Sequence, residues 1–202
     1  MLSQFLVNPL LGLTWLLGLI LAITIHEFAH ALVADRLGDP TPRLQGRLTL
    51  NPLAHLDPLG TLMLLVTRFG WGKPVQFDPF NLQNPRRDTA IISLAGPVSN
   101  LATAALAATV IRLFPIAYPL LLPLIVLSVG LALFNLIPIH PLDGGKIILG
   151  LLPRNLASEW DRILQQYGLI ILILLLLPLG GLSPVSALLS PLIAFTLNLL
   201  LP

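Results

Sequence analysis

Long apolar runs separated by short polar segments dominate the sequence. A bilayer core about 30 Å thick is crossed by roughly 20 apolar residues in a helix, and several of the runs approach or exceed that length. The pattern predicts helices over about 9–33, 89–111, 119–137, 164–179 and 185–201. We therefore interpret the chain as an all-α polytopic membrane protein with about five to six transmembrane helices.

Composition supports a membrane environment. Hydrophobic residues make up 55% of the 202 residues and charged residues only 10%, with a mean hydropathy of +0.89. A soluble domain usually has about a quarter of its residues charged, so this chain cannot cover a globular surface with charge. The basic pI, near 9.5, does not indicate nucleic-acid binding, because the basic residues lie between apolar runs and are explained by membrane topology.

A shorter apolar run at 59–66 bears on the topology. Such a run is more typical of a re-entrant or interfacial segment than of a full span, although a short span is the alternative. If it re-enters, ten of the 11 Lys and Arg residues share one side, and only Arg112 lies opposite. Because Lys and Arg collect in cytoplasmic loops, this arrangement predicts five spans, an outside N-terminus and an inside C-terminus. Two candidate strands, 47–52 and 73–77, would form a short β segment near the cytoplasmic face.

The strongest chemical signal is the sequence HEFAH at positions 26–30. Residues at i and i+4 lie on one face of a helix, so His26 and His30 can bind one zinc ion. Glu27 is then placed to act as a general base on a water molecule. Two solvent-facing histidines on an ordinary helix give the same pattern. Here, however, these side chains interrupt an apolar run, where ionisable groups are costly and usually functional.

A catalytic zinc ion commonly has three protein ligands and one position for water, so a third ligand is required. Because the chain has no cysteine, this ligand must be His, Asp or Glu. Asp143 follows two helix-breaking prolines, Pro138 and Pro141. It precedes Gly144 and Gly145, which free the backbone to turn the carboxylate inward. A loop aspartate capping a turn is the alternative, but the unmatched histidine pair makes Asp143 the better candidate.

Five ordered motifs together resemble the site-2 protease family of intramembrane zinc metalloproteases. They are HEFAH at 26–30, NPLAHLDPLG at 51–60, GWGKPV at 70–75, LAGPVSN at 94–100 and NLIPIHPLDGG at 135–145. The second motif is similar to that of compact bacterial-type members without a PDZ domain. By this resemblance, the third motif is a re-entrant loop that helps to position substrate as a strand.

The resemblance also implies roles for individual residues. It implies that one Zn²⁺ per chain is bound by His26, His30 and Asp143. It implies that Glu27 is the general base that activates water for attack on a peptide bond. Asn135 matches an asparagine that contacts substrate or stabilises the oxyanion, although hydrogen bonding between helices is an alternative role for it.

Two further histidines are possible accessory residues. His140 stands where the family pattern suggests a small or apolar residue. It could be a partner of a metal ligand, an extra regulatory ligand or a hydrated histidine at the membrane edge. His55 could cover the site as a plug residue, but a solvated loop explains it equally well.

These features predict a zinc-dependent endopeptidase that hydrolyses peptide bonds in or near the transmembrane segments of membrane protein substrates. The chain would form a single domain over 1–202, with a catalytic core at about 9–145 and accessory helices at about 160–201. It would be a multi-pass protein of the cell membrane with its active site toward the cytoplasm and no nucleic-acid partner. The alternatives are a membrane metal transporter and an inactive scaffold that binds transmembrane segments.

Overall fold

In the computed structural model, helices account for most of the chain. The structure describes residues 8–60, 63, 71–178 and 181–201. Its α-helices are α1 (Pro9–Arg36), α2 (Thr41–Leu44), α3 (Pro85–Leu113), α4 (Tyr118–Asn135), α5 (Asp143–Leu151), α6 (Arg154–Leu176) and α7 (Pro184–Leu200). Short 3₁₀ helices occupy Pro52–Ala54, Pro79–Asn81 and Pro115–Ala117. The helical interpretation is confirmed, and α5 is a helix that the apolar pattern did not predict.

Three helical segments of the described chain are long and apolar enough to cross a membrane. They are α1, α3 and the segment Pro115–Asn135, which contains α4. Helix α7 is apolar but only 17 residues long. The first half of α6 carries charged residues, which leaves only its second half as an apolar run. The membrane character is therefore supported, whereas the predicted number of five to six spans is not confirmed.

Local sequence signals explain where the main helices begin. The side chain of Asn8 accepts a hydrogen bond from the backbone nitrogen of Leu11 at 3.1 Å, and Pro9 opens α1. Proline suits this position because the first turn of a helix has no partner for its N–H groups. At the start of α3, the carboxylate of Asp88 accepts a hydrogen bond from the backbone nitrogen of Asn84 at 2.8 Å. These contacts fix the ends of the two longest helices.

Small residues let the three longest apolar helices pack closely together. Helices α1, α3 and α4 are in mutual contact, with α5 packed on α3 and α7 on α4. Gly18 of α1 lies so near α4 that a Cβ atom there would be 3.0 Å from the backbone nitrogen of Leu124. Between α3 and α4, three alanines, Ala104, Ala107 and Ala108, pack with larger apolar side chains. Close approach through small residues is typical of helix pairs in membranes.

The polarity of these helices is reversed relative to a soluble protein. Many large apolar side chains are exposed, including Leu10 on α1 and Leu106 on α3. Polar side chains of the same helices are buried, including His26, Asn100 and Ser128. Such an arrangement suits a lipid solvent, because polar groups within a bilayer face the interior of the bundle.

The loop between α1 and α3 contains less β structure than the sequence predicted. In the described residues there is no regular strand, so the prediction of strands at 47–52 and 73–77 is wrong. A single antiparallel bridge pairs Leu56 with Gly72 instead. Hydrogen bonds from the Arg47 guanidinium to the carbonyl oxygens of Ala54 and Lys73 join these segments instead of a β ladder. The predicted re-entrant run at 59–66 falls mostly outside the described residues.

Asp39 ties the two ends of this loop together. Its carboxylate is fully buried and accepts hydrogen bonds from the backbone nitrogen and hydroxyl of Thr41. It also accepts from the backbone nitrogen of Asp78 at 2.7 Å and the side-chain nitrogen of Asn81 at 2.8 Å. The chain leaving α1 and the chain entering α3 therefore lie side by side.

Candidate metal centre

Three side chains from distant parts of the sequence converge inside the helix bundle. His26 and His30 lie one turn apart on α1, and Asp143 is the first residue of α5. The Oδ2 atom of Asp143 is 3.1 Å from Nε2 of His26 and 3.2 Å from Nε2 of His30. Both histidines are buried, and the candidate ligand atoms all lie within 4.8 Å of one another. The structure thus brings together the three residues that the sequence predicted as metal ligands.

The position of Asp143 depends on how α5 meets the turn before it. Residues 136–142 form an irregular turn after α4, as the two prolines predicted. A Cβ atom on Gly144 would overlap the carbonyl oxygens of Leu136 and Ile137, so glycine allows α5 to contact that turn directly. Gly144 and Gly145 are helical and have no positive φ angle. Their expected role as flexible residues is therefore wrong, since they serve close packing.

The hydrogen bond of His30 defines which nitrogen faces Asp143. Its Nδ1 atom is 2.7 Å from the carbonyl oxygen of Ile92, which can only accept a hydrogen bond. In the neutral ring the proton is then on Nδ1, and Nε2 carries a lone pair. This lone pair faces the carboxylate oxygen of Asp143, so two acceptors meet at 3.2 Å. A cation between them removes the repulsion, and a partner on the far nitrogen is typical of metal-binding histidines.

Gly96 of α3 provides the space for both imidazole rings. A Cβ atom at this position would lie 2.6 Å from Nε2 of His26 and would overlap Nε2 of His30. The two rings are edge to face, with centroids 4.6 Å apart. Sequence reasoning gave Gly96 no role of its own. Its place in the motif LAGPVSN was the available signal, but only the packing of α3 on α1 shows what glycine does there.

Glu27 lies outside the group of candidate ligands and has a different partner. Its Oε2 atom accepts a hydrogen bond from the backbone nitrogen of Val75 at 2.8 Å. Val75 is buried and belongs to the segment 71–78 that crosses near α1. Among the described residues that could hold a metal ion, Glu27 is not grouped with the histidine pair. The role of Glu27 as the general base stays a prediction.

The structure gives the three other candidate residues different partners or surroundings. Asn135 is the last residue of α4, and its side-chain nitrogen donates to the carbonyl oxygen of Leu131 in the same helix at 3.0 Å. His140 is exposed and lines a cavity of about 910 Å³ between segment 74–79 and α6. His55 is fully buried, and its Nε2 atom donates to the carbonyl oxygen of Thr49 at 2.7 Å. The explanation of His55 as a solvated loop residue is therefore wrong.

The three converging side chains fit a zinc ion. Two nitrogens and one carboxylate oxygen are ligands that zinc accepts, and such a set leaves one tetrahedral position open. Ligand atoms at about 2.0–2.1 Å from a tetrahedral ion lie about 3.3–3.4 Å apart. The observed separations of 3.1 and 3.2 Å between Asp143 and the two histidines are close to this distance. The conflict between the His30 lone pair and the carboxylate also favours a cation.

Taken together, fold and site define an integral membrane protein with a two-histidine, one-carboxylate centre buried among its helices. Comparison with known proteins gives its family. Residues 114–175 match the model of peptidase family M50, a range that contains Asn135 and Asp143. No solved structure matches the chain significantly.

Relatives match over a longer range. YwhC of Bacillus subtilis, provisionally named a zinc metalloprotease, is 39% identical over 193 residues, which cover 89% of this chain and 88% of YwhC. Rip2 of Mycolicibacterium smegmatis, with a similar provisional name, is 34% identical over 174 residues, or 79% of this chain and 65% of Rip2. The chain belongs to peptidase family M50.

Proposed function

We propose that this chain is a zinc-dependent endopeptidase that hydrolyses peptide bonds in or near the transmembrane segments of membrane proteins. The observation that carries the proposal is the convergence of His26, His30 and Asp143 within a bundle of apolar helices, with Glu27 next to His26 in the sequence. Membership of a peptidase family and the zinc metalloprotease names of its relatives support it.

In this proposal the histidine pair and Asp143 hold one zinc ion. When bound, zinc acts as a Lewis acid and makes water acidic enough to attack near neutral pH. Glu27 takes a proton from the attacking water and delivers it to the leaving amine nitrogen. The hydrogen bond from Val75 holds one oxygen of the Glu27 carboxylate, which leaves the other free to exchange the proton.

Accessory roles are proposed for Asn135, His140 and His55. Asn135 would contact the substrate or stabilise the oxyanion, for which its side chain must leave the carbonyl oxygen of Leu131. His140 lies in the turn before Asp143 and borders the cavity, where it would be a hydrated histidine at the membrane edge. The buried side chain of His55 supports a structural role in the loop that lies near Glu27.

Orientation follows from the distribution of charge. Placing the loop between α1 and α3 in the cytoplasm leaves the end of α3, with Arg112, and the connection to α4 on the outer side. Because the Arg112 side chain donates to the carbonyl oxygen of Leu200 at 3.0 Å, the end of α7 would lie on that outer side too, so the prediction of an inside C-terminus is wrong. The N-terminus would then be outside and the metal centre would lie toward the cytoplasmic ends of the helices. Substrates would be membrane proteins of the same bilayer, because only their segments reach a site enclosed by lipid-facing helices.

The test compares the two glutamates of the chain. The sequence has two glutamates, Glu27 and Glu159, and Glu159 is exposed on α6. Glu27→Gln should lower cleavage of single-span reporter proteins by about 10²–10⁴-fold, the usual contribution of general acid–base catalysis. Zinc content should remain one ion per chain. Glu159→Gln should cleave at the wild-type rate.

Two results would contradict the proposal. One is cleavage by Glu27→Gln at the wild-type rate. The other is absence of cleavage by the wild type together with zinc flux across vesicles that depends on Asp143, which would indicate a transporter.

A further inference from the structure

A buried arginine lies in the loop between α2 and the first 3₁₀ helix. Only 4% of the Arg47 surface is exposed. One terminal nitrogen of its guanidinium donates to the carbonyl oxygen of Ala54, and the other donates to the carbonyl oxygen of Lys73. Arg47 therefore joins two segments that are 19 residues apart in the sequence.

Lys73 is held from its other side as well. Its backbone nitrogen donates to the carbonyl oxygen of His55 at 2.8 Å, next to the bridge between Leu56 and Gly72. The N–H group of Lys73 is thus bound to His55, and its carbonyl oxygen is bound to Arg47. Arg47 in turn bonds Ala54, the neighbour of His55. The position of Lys73 is fixed although its side chain is exposed.

The same segment reaches Glu27 two residues later. Pro74 follows Lys73, and its ring restricts the backbone, so little freedom remains between Lys73 and Val75. The backbone nitrogen of Val75 then donates to Oε2 of Glu27 at 2.8 Å. A hydrogen bond to a carboxylate is shorter and stronger than one between neutral groups. The orientation of Glu27 is consequently coupled to the place of Lys73.

The charge of Arg47 has a second effect on this arrangement. Burial lowers the pKa of Arg47, and the negative charge of Glu27 opposes that change. A buried guanidinium is costly to desolvate, and its bonds to two neutral carbonyls recover only part of that cost. The electrostatic attraction to Glu27 gives a reason for an arginine at this position rather than a neutral donor.

We propose that Arg47 is a positioning residue for the proposed peptidase reaction, because it holds Lys73 where the Val75 N–H can fix the Glu27 carboxylate. This inference rests on the proposed function. Arg47 itself contacts neither the candidate metal ligands nor the reacting atoms. It acts through the backbone of the segment Lys73, Pro74 and Val75.

Kinetics give the first test. Arg47→Met should lower kcat for a single-span reporter by about 10–100-fold, since small displacements of a catalytic group have effects of this size. KM and zinc content should change by less than about threefold. Arg47→Lys should recover part of the rate, because a single ammonium cannot bond both carbonyls as the planar guanidinium does. Arg43→Met is the matched control, since the exposed Arg43 side chain bonds Asp35 and no other side chain among the described residues.

A second pair of variants tests the hydrogen bond without changing Arg47. Val75→Pro removes the N–H group and should lower kcat about as much as Arg47→Met. Val75→Ala keeps the N–H group and should lower kcat by less than Val75→Pro does. Arg47→Met combined with Val75→Pro should cost no more than either change alone, because both break the same link.

Hydrogen exchange at the segment 71–78 gives a readout that does not depend on activity. In the wild type the amides of Lys73 and Val75 should exchange slowly, because both are hydrogen-bonded. Glu27→Ala should accelerate exchange of the Val75 amide, which loses its acceptor. Arg47→Met should accelerate exchange of both amides. Arg43→Met should change neither.

Unchanged exchange in Arg47→Met would overturn the inference, as would a wild-type kcat in Arg47→Met or in Val75→Pro. If kcat falls only because zinc is lost or the chain unfolds, Arg47 is merely structural and the inference is also wrong. If the wild type cleaves no substrate, the proposed function fails. The exchange measurement still decides whether Arg47 holds Val75 against Glu27.

Discussion

The backbone of Gly96 faces the imidazole of His26 so closely that a Cβ atom there would lie 2.6 Å from Nε2 of the ring. Helix α3 thus forms one wall of the candidate metal centre without contributing a ligand. Because position 96 has no side chain, the two histidine rings have the space that they occupy.

Gly96→Ala should weaken zinc binding by about 10–100-fold, the range seen when groups that orient metal ligands are lost. The added methyl group would overlap both histidine rings and so displace the nitrogens that face Asp143. Gly130→Ala on α4 is the matched control, because a Cβ atom there meets nothing within 4 Å. It should keep zinc and be neutral or slightly stabilising, since alanine favours helix more than glycine. Competition with a chromogenic chelator measures the affinity, and equal zinc affinity in the two variants would contradict this account.

Asp143→Ala should reduce bound zinc from one ion per chain to nearly none. It leaves two ligands, and a buried histidine pair without the carboxylate provides neither the charge nor the geometry of a tetrahedral site. Asp161→Ala on α6 removes a carboxylate of the nearby cavity and should leave zinc unchanged. Elemental analysis of the purified variants measures the number of zinc ions bound per chain. Full zinc occupancy in Asp143→Ala would mean that the third ligand lies elsewhere.

The sequence predicted which side chains come together better than it predicted the contacts that hold them in place. Helical spacing placed His26 and His30 together, and the prolines and glycines after Asn135 marked Asp143 as a special position. The partners of these residues were not predictable, because Ile92 offers a backbone oxygen and Val75 a backbone nitrogen that any residue could supply. Such contacts depend on how α3 and the segment 71–78 pack against α1. Periodicity within one helix carries no information about that packing.

For the fold, too, the sequence predicted some features and missed others. Apolar runs predicted α1, α3, α4 and α7 to within a few residues, because lipid exposure makes the hydrophobic signal strong. The start of α6 was predicted too late, at about 164 instead of Arg154, because its first half is polar and charged. Helix α5 was missed, since its nine residues are too few for a span and contain Gly144 and Gly145. The loop between α1 and α3 was mistaken for strands, because alternation in 47–52 resembles a strand although Arg47 points inward to bond backbone carbonyls.

Asp39→Ala should destabilise the protein by about 2–4 kcal/mol, because it removes the acceptor of several hydrogen bonds to a charged group. Burial would raise the pKa of Asp39, but hydrogen bonds from Thr41, Asn81 and Asp78 lower it below the ordinary 3.8. A depressed pKa contributes stability above the unfolded-state value and loses it as the pH falls through the folded-state value. Thermal unfolding should therefore show a wild-type advantage at pH 7 that shrinks below pH 3.8. Asp35→Ala, which affects a surface ion pair, should have a much smaller effect.

Cysteines introduced at Gln45 and Gln83 should be labelled from the same side of the membrane by an impermeant thiol reagent. Both residues are exposed, and the chain has no cysteine of its own. Asp39 bonds to Asp78 and Asn81, so the end of α1 and the start of α3 must lie on one side. The apolar run 59–66 is too short to cross twice, which favours a re-entrant segment or an interfacial one.

A cysteine at Ile116, in the connection between α3 and α4, should be labelled from the opposite side, because α3 is long enough to cross. Labelling of Gln45 and Gln83 from opposite faces would contradict the contact made by Asp39, and labelling of all three from one face would show that α3 does not span.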